Sequence, residues 1–283
     1  MSRSFYSKNE EKTFDSLNNY EYLFKNYSSN PPSLEEALTE LFRNAKATKE
    51  EAKEILDHLL LCCKNKIDQN WDLIKKEHKN ISRKDALIIS SYTYEPKPMY
   101  KDYSPYRLLN TNLVSNNRLN GIMCIEKYLF IFLQALRRLE KCKKKYLFRF
   151  ITKKVKVEKG HDSDYVPYKK GNQKTFWTFM STFEDEKLTE KFLDDEGTKY
   201  KIEGENLWGY DLTLFHIYGE SEIILEPERK YIVENVENIG DEVIEVTCKI
   251  IDNPEKLEIC TKSGDRKIVR IFFIIFSVLY IIN

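Results

Sequence analysis

Residues 146–156 read Tyr-Leu-Phe-Arg-Phe-Ile-Thr-Lys-Lys-Val-Lys, and the character of the chain changes at this stretch. It is rich in β-branched and aromatic residues, which favours a strand, and similar short runs separated by turn residues follow it. The predicted strands cover residues 146–156, 175–182, 212–217, 223–225, 230–236 and 243–251. The chain beyond residue 145 is therefore predicted to form a β core.

The chain before residue 145 has the periodicity of helices. Capping-box patterns begin at Ser33, Thr48 and Ser82, and apolar residues keep helical spacing from 52 to 74. Residues 125–139 are apolar on most sides, which indicates a buried helix, whereas residues 1–30 are polar and predict a mobile lead-in. Several helices followed by several short strands predict an α+β fold.

Composition excludes several classes of protein. The 283 residues carry a formal charge of +1, which argues against nucleic acid as a partner. Nine scattered glycines form neither G-x-G-x-x-G nor a P-loop, so both glycine-rich nucleotide folds are excluded. Six cysteines and four histidines show no metal-ligand spacing, so no metal is expected.

The two ends of the chain bear on localisation. The first residues, Met-Ser-Arg-Ser-Phe, lack the apolar stretch of a secretory signal, so a cytoplasmic protein is expected. Residues 271–282 are apolar, but twelve helical residues reach only about 18 Å of a bilayer core of roughly 30 Å. Membrane attachment through 271–282 is an alternative that we do not favour over a buried final element.

Three short motifs contain the candidate functional residues. Arg149 closes the aromatic run 146–149, where a guanidinium on a rigid strand suits phosphate or a ribose hydroxyl. Ser181 and Thr182 end the run 176–182, in which Trp177 and Phe179 offer stacking faces. Each motif alone also fits an ordinary surface strand or turn.

The third motif is Glu220-Ser221-Glu222, which precedes an apolar run ending at Pro227. In an extended chain, the two carboxylates would lie on one side, roughly 6–7 Å apart. Like charges at that distance raise a carboxyl pKa and cost stability, so they occur chiefly at exposed edges and working sites. Basic residues are also concentrated in 141–159, which suggests either a solvated face or a positive wall beside an anionic ligand.

Taken together, the motifs resemble those of the arginine-specific mono-ADP-ribosyltransferases of the R-S-E class, which include vertebrate ecto-enzymes and cholera-toxin-like transferases. The resemblance extends over roughly residues 85–251, and Arg149, Ser181 and Glu222 follow the family's order and spacing. Two departures are Phe150, where the family usually has glycine, and Phe183, where its motif ends in serine. The stretches that carry the resemblance are 89–93, 105–114 (PYRLLNTNLV), 127–139, 146–149 (YLFR), 170–182 (KGNQKTFWTFMST) and 220–227 (ESEIILEP).

The resemblance implies a catalytic domain over 85–252, with helices at 85–140 and two packed antiparallel sheets at 145–252. A helical region at 31–84 would precede this domain, and an extension with a hydrophobic tail at 253–283 would follow it. The family's substrates would be NAD+ and a protein with an accessible arginine. NAD+ glycohydrolase, or a catalytically weak NAD-binding or interaction module, remain the alternatives.

The resemblance also implies roles for individual residues. Arg149 would hold the NAD+ phosphate and ribose, and Ser181 would position Glu222, which would bind the ribose 2′-hydroxyl. Glu220 would orient and deprotonate the acceptor guanidinium. The remaining implied contacts are Phe148, Phe179 and Thr182 with NAD+, and Tyr218 with the acceptor.

Overall fold

The structure is a computed structural model that describes residues 14–152, 168–190, 196–205, 207–239 and 242–251. The apolar segment 271–282, the end of the predicted strand 146–156 and the first part of the predicted lead-in lie outside the described residues. The helices are α1 Leu34–Asn44, α2 Lys49–Glu77, α3 Arg83–Tyr92, α4 Pro105–Leu113, α5 Arg118–Leu136 and the short α6 Lys187–Glu190.

The helices begin where the sequence predicts. Ser33 accepts a hydrogen bond from the Glu36 N–H at the start of α1. Thr48 and Ser82 form complete capping boxes at the starts of α2 and α3, in which the side chains three residues on bond back to the cap. The apolar stripe of α2 is buried, so the helical prediction for residues 52–74 is confirmed.

Residues 17–27 differ from the predicted mobile lead-in, because they form a 3-10 helix. Leu17 and Phe24 are buried in the helical core. The Leu17 N–H and the Ser16 hydroxyl both donate to the Glu228 carboxylate, which joins this segment to the β half of the chain. Burial and these hydrogen bonds order a segment that composition alone describes as polar.

One hydrophobic core extends over the helices on both sides of residue 85. Leu59 and Ile67 of α2 belong to the same core as Ile89 of α3 and Phe132 of α5. The domain boundary at residue 85 was placed by the resemblance, and it stays a prediction.

The β half contains two sheets. The strands are β1 Cys142–Lys143, β2 Tyr146–Ile151, β3 Gln173–Phe176, β4 Met180–Thr182, β5 Gly197–Glu203, β6 Trp208–Asp211, β7 Ile223–Leu225, β8 Arg229–Asn238 and β9 Val243–Ile250. A four-stranded sheet has the order β1-β6-β7-β4, and a five-stranded sheet has the order β2-β5-β9-β8-β3. Helices followed by two sheets confirm the predicted α+β fold.

Several details differ from the expected sheets. Residues 212–217 form a turn rather than a strand, and the strands β1, β5 and β6 were not predicted. The predicted strand 175–182 is divided between β3 and β4, which belong to different sheets. The β5–β9 pair is parallel, so the five-stranded sheet is mixed rather than wholly antiparallel. Leu212 and Phe215 belong to the helical core, so the apolar character of 212–217 reflects burial in a turn.

The four-stranded sheet lies between the helices and the five-stranded sheet. Ile224 of β7 belongs to the helical core, whereas its neighbours Ile223 and Leu225 belong to a second core shared with the five-stranded sheet. This alternation is the period of two expected for a strand buried on both faces. It gives the molecule three layers.

Among the described helices, α5 is long and apolar enough to cross a membrane, by length and composition only. Most of α5 is buried, and core helices have the same composition, so the helix is weak evidence for a membrane span.

Candidate active site

The site lies where the edge strands of the two sheets meet. β2 and β4 are joined by a reciprocal pair of 2.7 Å hydrogen bonds between the backbones of Phe148 and Phe183. This contact brings Arg149 beside Ser181, and Arg149 Nη1 donates to the Ser181 carbonyl oxygen over 2.6 Å. The edge-to-edge contact therefore holds the guanidinium against the serine-bearing strand.

Glu222 reaches the same place from the segment before β7. Ser181 pairs with Ile224 in the β4–β7 ladder, and the Ser181 side chain hydrogen-bonds to the Glu222 carboxyl group. The structure thus brings together Arg149, Ser181 and Glu222, which the sequence analysis selected as candidates.

Glu222 is a buried carboxyl group, with 6% of its surface exposed. Burial raises the pKa of Glu222 to about 7, because a charged carboxylate is costly away from water. The Ser181 hydrogen bond and the Arg149 charge lower it, and the Glu220 charge raises it further. Glu222 therefore changes protonation state near neutral pH.

Glu220 lies at the end of a turn over residues 212–220, which we call the His216 turn. The Glu220 side chain is half exposed, whereas the His216 side chain is buried. His216 Nε2 is 3.7 Å from Glu222 Oε2 and 3.9 Å from Glu220 Oε2. Both distances exceed hydrogen-bond length, so this imidazole nitrogen lies between the two carboxyl groups without a hydrogen bond to either.

Phe150 does not project toward Arg149. In the β2–β5 ladder Phe150 pairs with Lys199 and Arg149 pairs with Tyr200, so the two side chains lie on opposite faces of β2. Phe150 is buried, and its ring packs where a Cβ on Gly197 would be, so Gly197 provides room for it. The Phe150 ring therefore lies on the face of β2 opposite to Arg149, in the space beside Gly197.

Two predicted NAD+ contacts have other partners in the structure. Phe179 is fully buried and packs edge to face against Phe132, with ring centroids 5.1 Å apart, so it belongs to the helical core rather than presenting a stacking face. Thr182 is fully buried and its hydroxyl donates to the Ile223 carbonyl over 2.6 Å, which fastens β4 to β7.

The other two predicted contacts lie at the margins of the site. Phe148 is on the same face of β2 as Phe150, with the Lys199 Nζ 5.8 Å from its ring centroid. Tyr218 is 53% exposed, and its hydroxyl donates to the Glu95 carbonyl over 2.6 Å. Tyr218 thus presents an exposed aromatic ring near Glu220. Such a ring is suited to contact a second substrate.

Three residues near the site were not selected from the sequence: His216, Tyr92 and Asn110. Tyr92 is buried, hydrogen-bonds to Asn110 and interacts electrostatically with both Glu222 and Arg149. Asn110 Oδ1 accepts from the Phe179 N–H over 3.1 Å, which braces the backbone before Ser181. Tyr92 and Asn110 lie in the stretches 89–93 and 105–114, and only the resemblance pointed to those stretches.

The described residues hold no cluster of metal ligands, and a basic cavity lies outside the site. The described residues contain no group of three or more His, Cys, Asp or Glu side chains that could hold a metal ion. An open cavity of about 560 Å³ is lined by Lys143, Lys144, Lys145 and Lys249, together with Tyr146 and residues 203–205. None of the predicted site residues lines it, so this basic surface is separate from Arg149 and Glu222.

Comparisons with known proteins relate the chain to others through its fold. No family model matches the sequence, and no curated protein matches it. The type III effector XopAI from Xanthomonas axonopodis pv. citri has a TM-score of 0.52 at 12% identity, over 86% of this chain and 95% of that one. The similarity to XopAI shows a shared fold.

Two further solved structures have lower scores. Vis toxin, an ADP-ribosyltransferase from Vibrio splendidus, has a TM-score of 0.45 at 13% identity, over 69% of this chain and 86% of its own. The ADP-ribosyltransferase HopU1 of Pseudomonas syringae pv. tomato has a TM-score of 0.44 at 14% identity, over 78% of this chain and 99% of its own.

Proposed function

We propose that this chain is a mono-ADP-ribosyltransferase that transfers ADP-ribose from NAD+ to arginine side chains of proteins and releases nicotinamide. The observation that carries the proposal is the placement of Glu222, a buried carboxyl group that contacts the Ser181 hydroxyl and faces Arg149. Glu220, two residues earlier, faces the same His216 nitrogen. The sequence motifs, in the order and spacing of the R-S-E class, support the same assignment.

The residues fit a dinucleotide held by side chains. A guanidinium has five N–H donors in a planar fork that suits phosphate oxygens, and Arg149 Nη1 donates to the Ser181 carbonyl. That bond fixes the orientation of the fork before any ligand binds. Nine glycines, none in a phosphate-binding loop pattern, agree with such a site.

The first chemical step breaks the bond between the ribose C1′ and the nicotinamide nitrogen. The bonding electrons leave with nicotinamide, and positive charge develops on the ribose ring. A carboxylate held at that position stabilises the developing cation more than it stabilises the neutral ribose, which lowers the barrier. We assign this role to Glu222, oriented by Ser181, so NAD+ cleavage should accelerate as pH rises through about 7 and Glu222 ionises.

The second step forms a bond between C1′ and a nitrogen of the acceptor guanidinium. That nitrogen must lose a proton, and we assign its removal to Glu220, whose side chain is half exposed and can meet an incoming arginine. The exposed ring of Tyr218 would contact the acceptor. With water in place of arginine, the same residues would give an NAD+ glycohydrolase.

Incubation of the purified chain with labelled NAD+ and agmatine, a soluble arginine analogue, tests the proposal. We expect nicotinamide release together with label transfer, and a loss of at least about 100-fold in both for Glu222→Ala. Glu220→Gln should lose transfer while some NAD+ hydrolysis survives. Glu237→Gln, a change to an exposed carboxylate of β8, serves as the matched control.

The outcomes separate the candidate functions. Release without transfer by the intact chain would favour the glycohydrolase. Neither release nor transfer would exclude both enzymes and leave the NAD-binding or interaction module. Arginine transfer that persists in Glu220→Gln would refute the role given to Glu220.

A further inference from the structure

His216 is a buried group that lies between two carboxyl groups on its own segment. Its Nε2 is within 4 Å of an oxygen of each: 3.7 Å for Glu222 and 3.9 Å for Glu220. Two carboxylates held that close repel each other, and the repulsion is strong where water is scarce. Both distances exceed hydrogen-bond length, but an N–H dipole directed at both carboxyl groups offsets the repulsion, and catalytic contacts that are long without substrate tighten into hydrogen bonds when it binds.

The protonation state of His216 makes it such a donor. Burial lowers the pKa of His216 to about 4, so the ring is neutral at pH 7. The Glu220 N–H is directed at Nδ1 over 3.4 Å, which makes Nδ1 the acceptor. The single ring proton is therefore assigned to Nε2, the nitrogen that faces the two carboxyl groups.

Charged and titratable groups from four elements face His216 and Glu222. Lys66 of α2 interacts electrostatically with His216, and Arg149 of β2 and Tyr92 of α3 interact with Glu222. The Tyr218 ring is 6.2 Å from the His216 ring. The charges of Lys66 and Arg149 favour ionised carboxyl groups. His216 Nε2 lies within 4 Å of both carboxyl groups.

We propose that His216 is a positioning residue whose Nε2–H group holds Glu220 and Glu222 side by side for the two steps of ADP-ribose transfer. The inference rests on the proposed function, since it concerns how that site is held together. Without the donor, the charged form of Glu222 loses a stabilising dipole while its side chain stays buried, so the carboxyl group retains its proton to higher pH.

Two amide variants isolate the Nε2–H group. His216→Gln places an amide nitrogen near the position of Nε2 and keeps the donor. His216→Asn places its amide near Nδ1 and has no group at the Nε2 position. Loss of the hydrogen bond to a charged group that this contact forms once substrate tightens the site predicts a fall of about 10- to 100-fold in kcat for nicotinamide release in His216→Asn. His216→Gln should stay within about threefold of the parent.

The pH profile and a measurement without substrate complete the test. The rise of the NAD+ cleavage rate near pH 7 should move to higher pH in His216→Asn and stay in place in His216→Gln. Titration of the Glu222 carboxyl carbon by ¹³C NMR should show the same difference with no NAD+ present. Equal behaviour of the two variants in this titration would overturn the role of His216, whether or not the chain proves to be a transferase.

A different observation concerns the anchoring of the His216 turn. Asn70 Nδ2 donates to the Leu214 carbonyl over 2.8 Å, and Asn70 is in α2, outside the part of the chain that carries the family resemblance. The Ile217 N–H donates to Thr93 Oγ1 over 3.1 Å, beyond the end of α3. The turn that carries Tyr218 and Glu220 is therefore fixed to the helical layer.

We infer that α2 sets acceptor binding by fixing the His216 turn through Asn70. Under the proposed function, Asn70→Ala should raise the KM for agmatine about fivefold to tenfold and lower kcat for NAD+ hydrolysis by a smaller factor. Asn44→Ala is the matched control, since Asn44 Nδ2 donates to the Cys124 carbonyl over 2.9 Å and joins α1 to α5 instead.

Hydrogen exchange gives a readout that needs no activity. The His216 N–H donates to the Leu212 carbonyl over 2.9 Å, within the turn that Asn70 holds. Its exchange should accelerate in Asn70→Ala and not in Asn44→Ala. Equal exchange in the two variants, or an equal fall of transfer and hydrolysis in Asn70→Ala, would overturn the inference.

Discussion

The burial of Glu222 should cost stability, and the cost can be measured by replacing the residue with glutamine. Glu222→Gln keeps the size of the side chain and a donor and acceptor for Ser181, but it removes the ionisable group. Burial raises the pKa of the native Glu222 carboxyl from 4.5 to about 7. The unfolded chain therefore loses this proton at lower pH than the folded chain.

The sign of the effect follows from proton binding. Between pH 4.5 and pH 7 the folded state binds more protons at Glu222 than the unfolded state, so the free energy of unfolding falls as pH rises. A shift of this size corresponds to about 3 kcal/mol in total, most of it between pH 5 and pH 8. Glu222→Gln has no such loss.

Equilibrium unfolding in urea at intervals from pH 5 to pH 8 measures this difference. We expect Glu222→Gln to gain stability relative to the parent as pH rises, by about 2–3 kcal/mol at the upper end. Comparing the two proteins at each pH cancels the titration of all other groups that the substitution leaves unchanged.

Glu226 provides a control of opposite sign. Burial acts to raise the pKa of Glu226, but the nearby Arg137 charge and the hydrogen bonds from Arg137 and the Tyr210 hydroxyl lower it overall. Glu226→Gln should therefore be less stable than the parent at neutral pH, and the difference should shrink in acid. A difference between Glu222→Gln and the parent that stays constant within about 0.5 kcal/mol from pH 5 to pH 8 would refute the reasoning.

Three other substitutions distinguish structural from functional roles. Arg149→Lys keeps the charge but loses the planar fork, so NAD+ cleavage should fall by at least about tenfold, as measured by nicotinamide release. Thr182→Val should lower the free energy of unfolding in urea by about 1–3 kcal/mol, because the Ile223 carbonyl loses its buried donor. Its kcat should fall far less than the kcat of Ser181→Ala. Gly197→Ala should lower the free energy of unfolding by at least about 1–3 kcal/mol, since its Cβ overlaps the Phe150 ring and the Ile151 carbonyl. In a double-mutant cycle, Phe150→Ala should recover only the part of this loss that comes from the overlap with the ring.

The helices could be predicted closely because their signals are local. Capping boxes at Thr48 and Ser82 use residues three apart, and both form as the sequence indicates. The strand β5 was missed because Gly197 begins it and lysines alternate within it. Those lysines lie on the face of the five-stranded sheet where Lys199 pairs with Glu186 and Glu245. Charged residues in a strand become predictable only when their partners are known.

The site was predicted in part. Arg149, Ser181 and Glu222 were selected by order and spacing, and the fold brings them together through the Phe148–Phe183 contact. His216 was not selected from the sequence, and no sequence period relates it to both Glu220 and Glu222. A turn, unlike a helix or strand, has no fixed period, so the shared contact appears only in three dimensions.

The bracing of the segment before and at Ser181 explains how the fold can persist with little sequence similarity. Asn110 holds the Phe179 N–H, the Thr182 hydroxyl binds the Ile223 carbonyl, and Arg149 binds the Ser181 carbonyl. Three side chains from three elements thus fix the backbone at this strand, and each is a polar group whose loss leaves a buried partner unsatisfied. The apolar positions around them tolerate exchange among residues of similar size. Exchange among the apolar residues can therefore go far while the fold is kept, which agrees with the fold that this chain shares with XopAI at 12% identity.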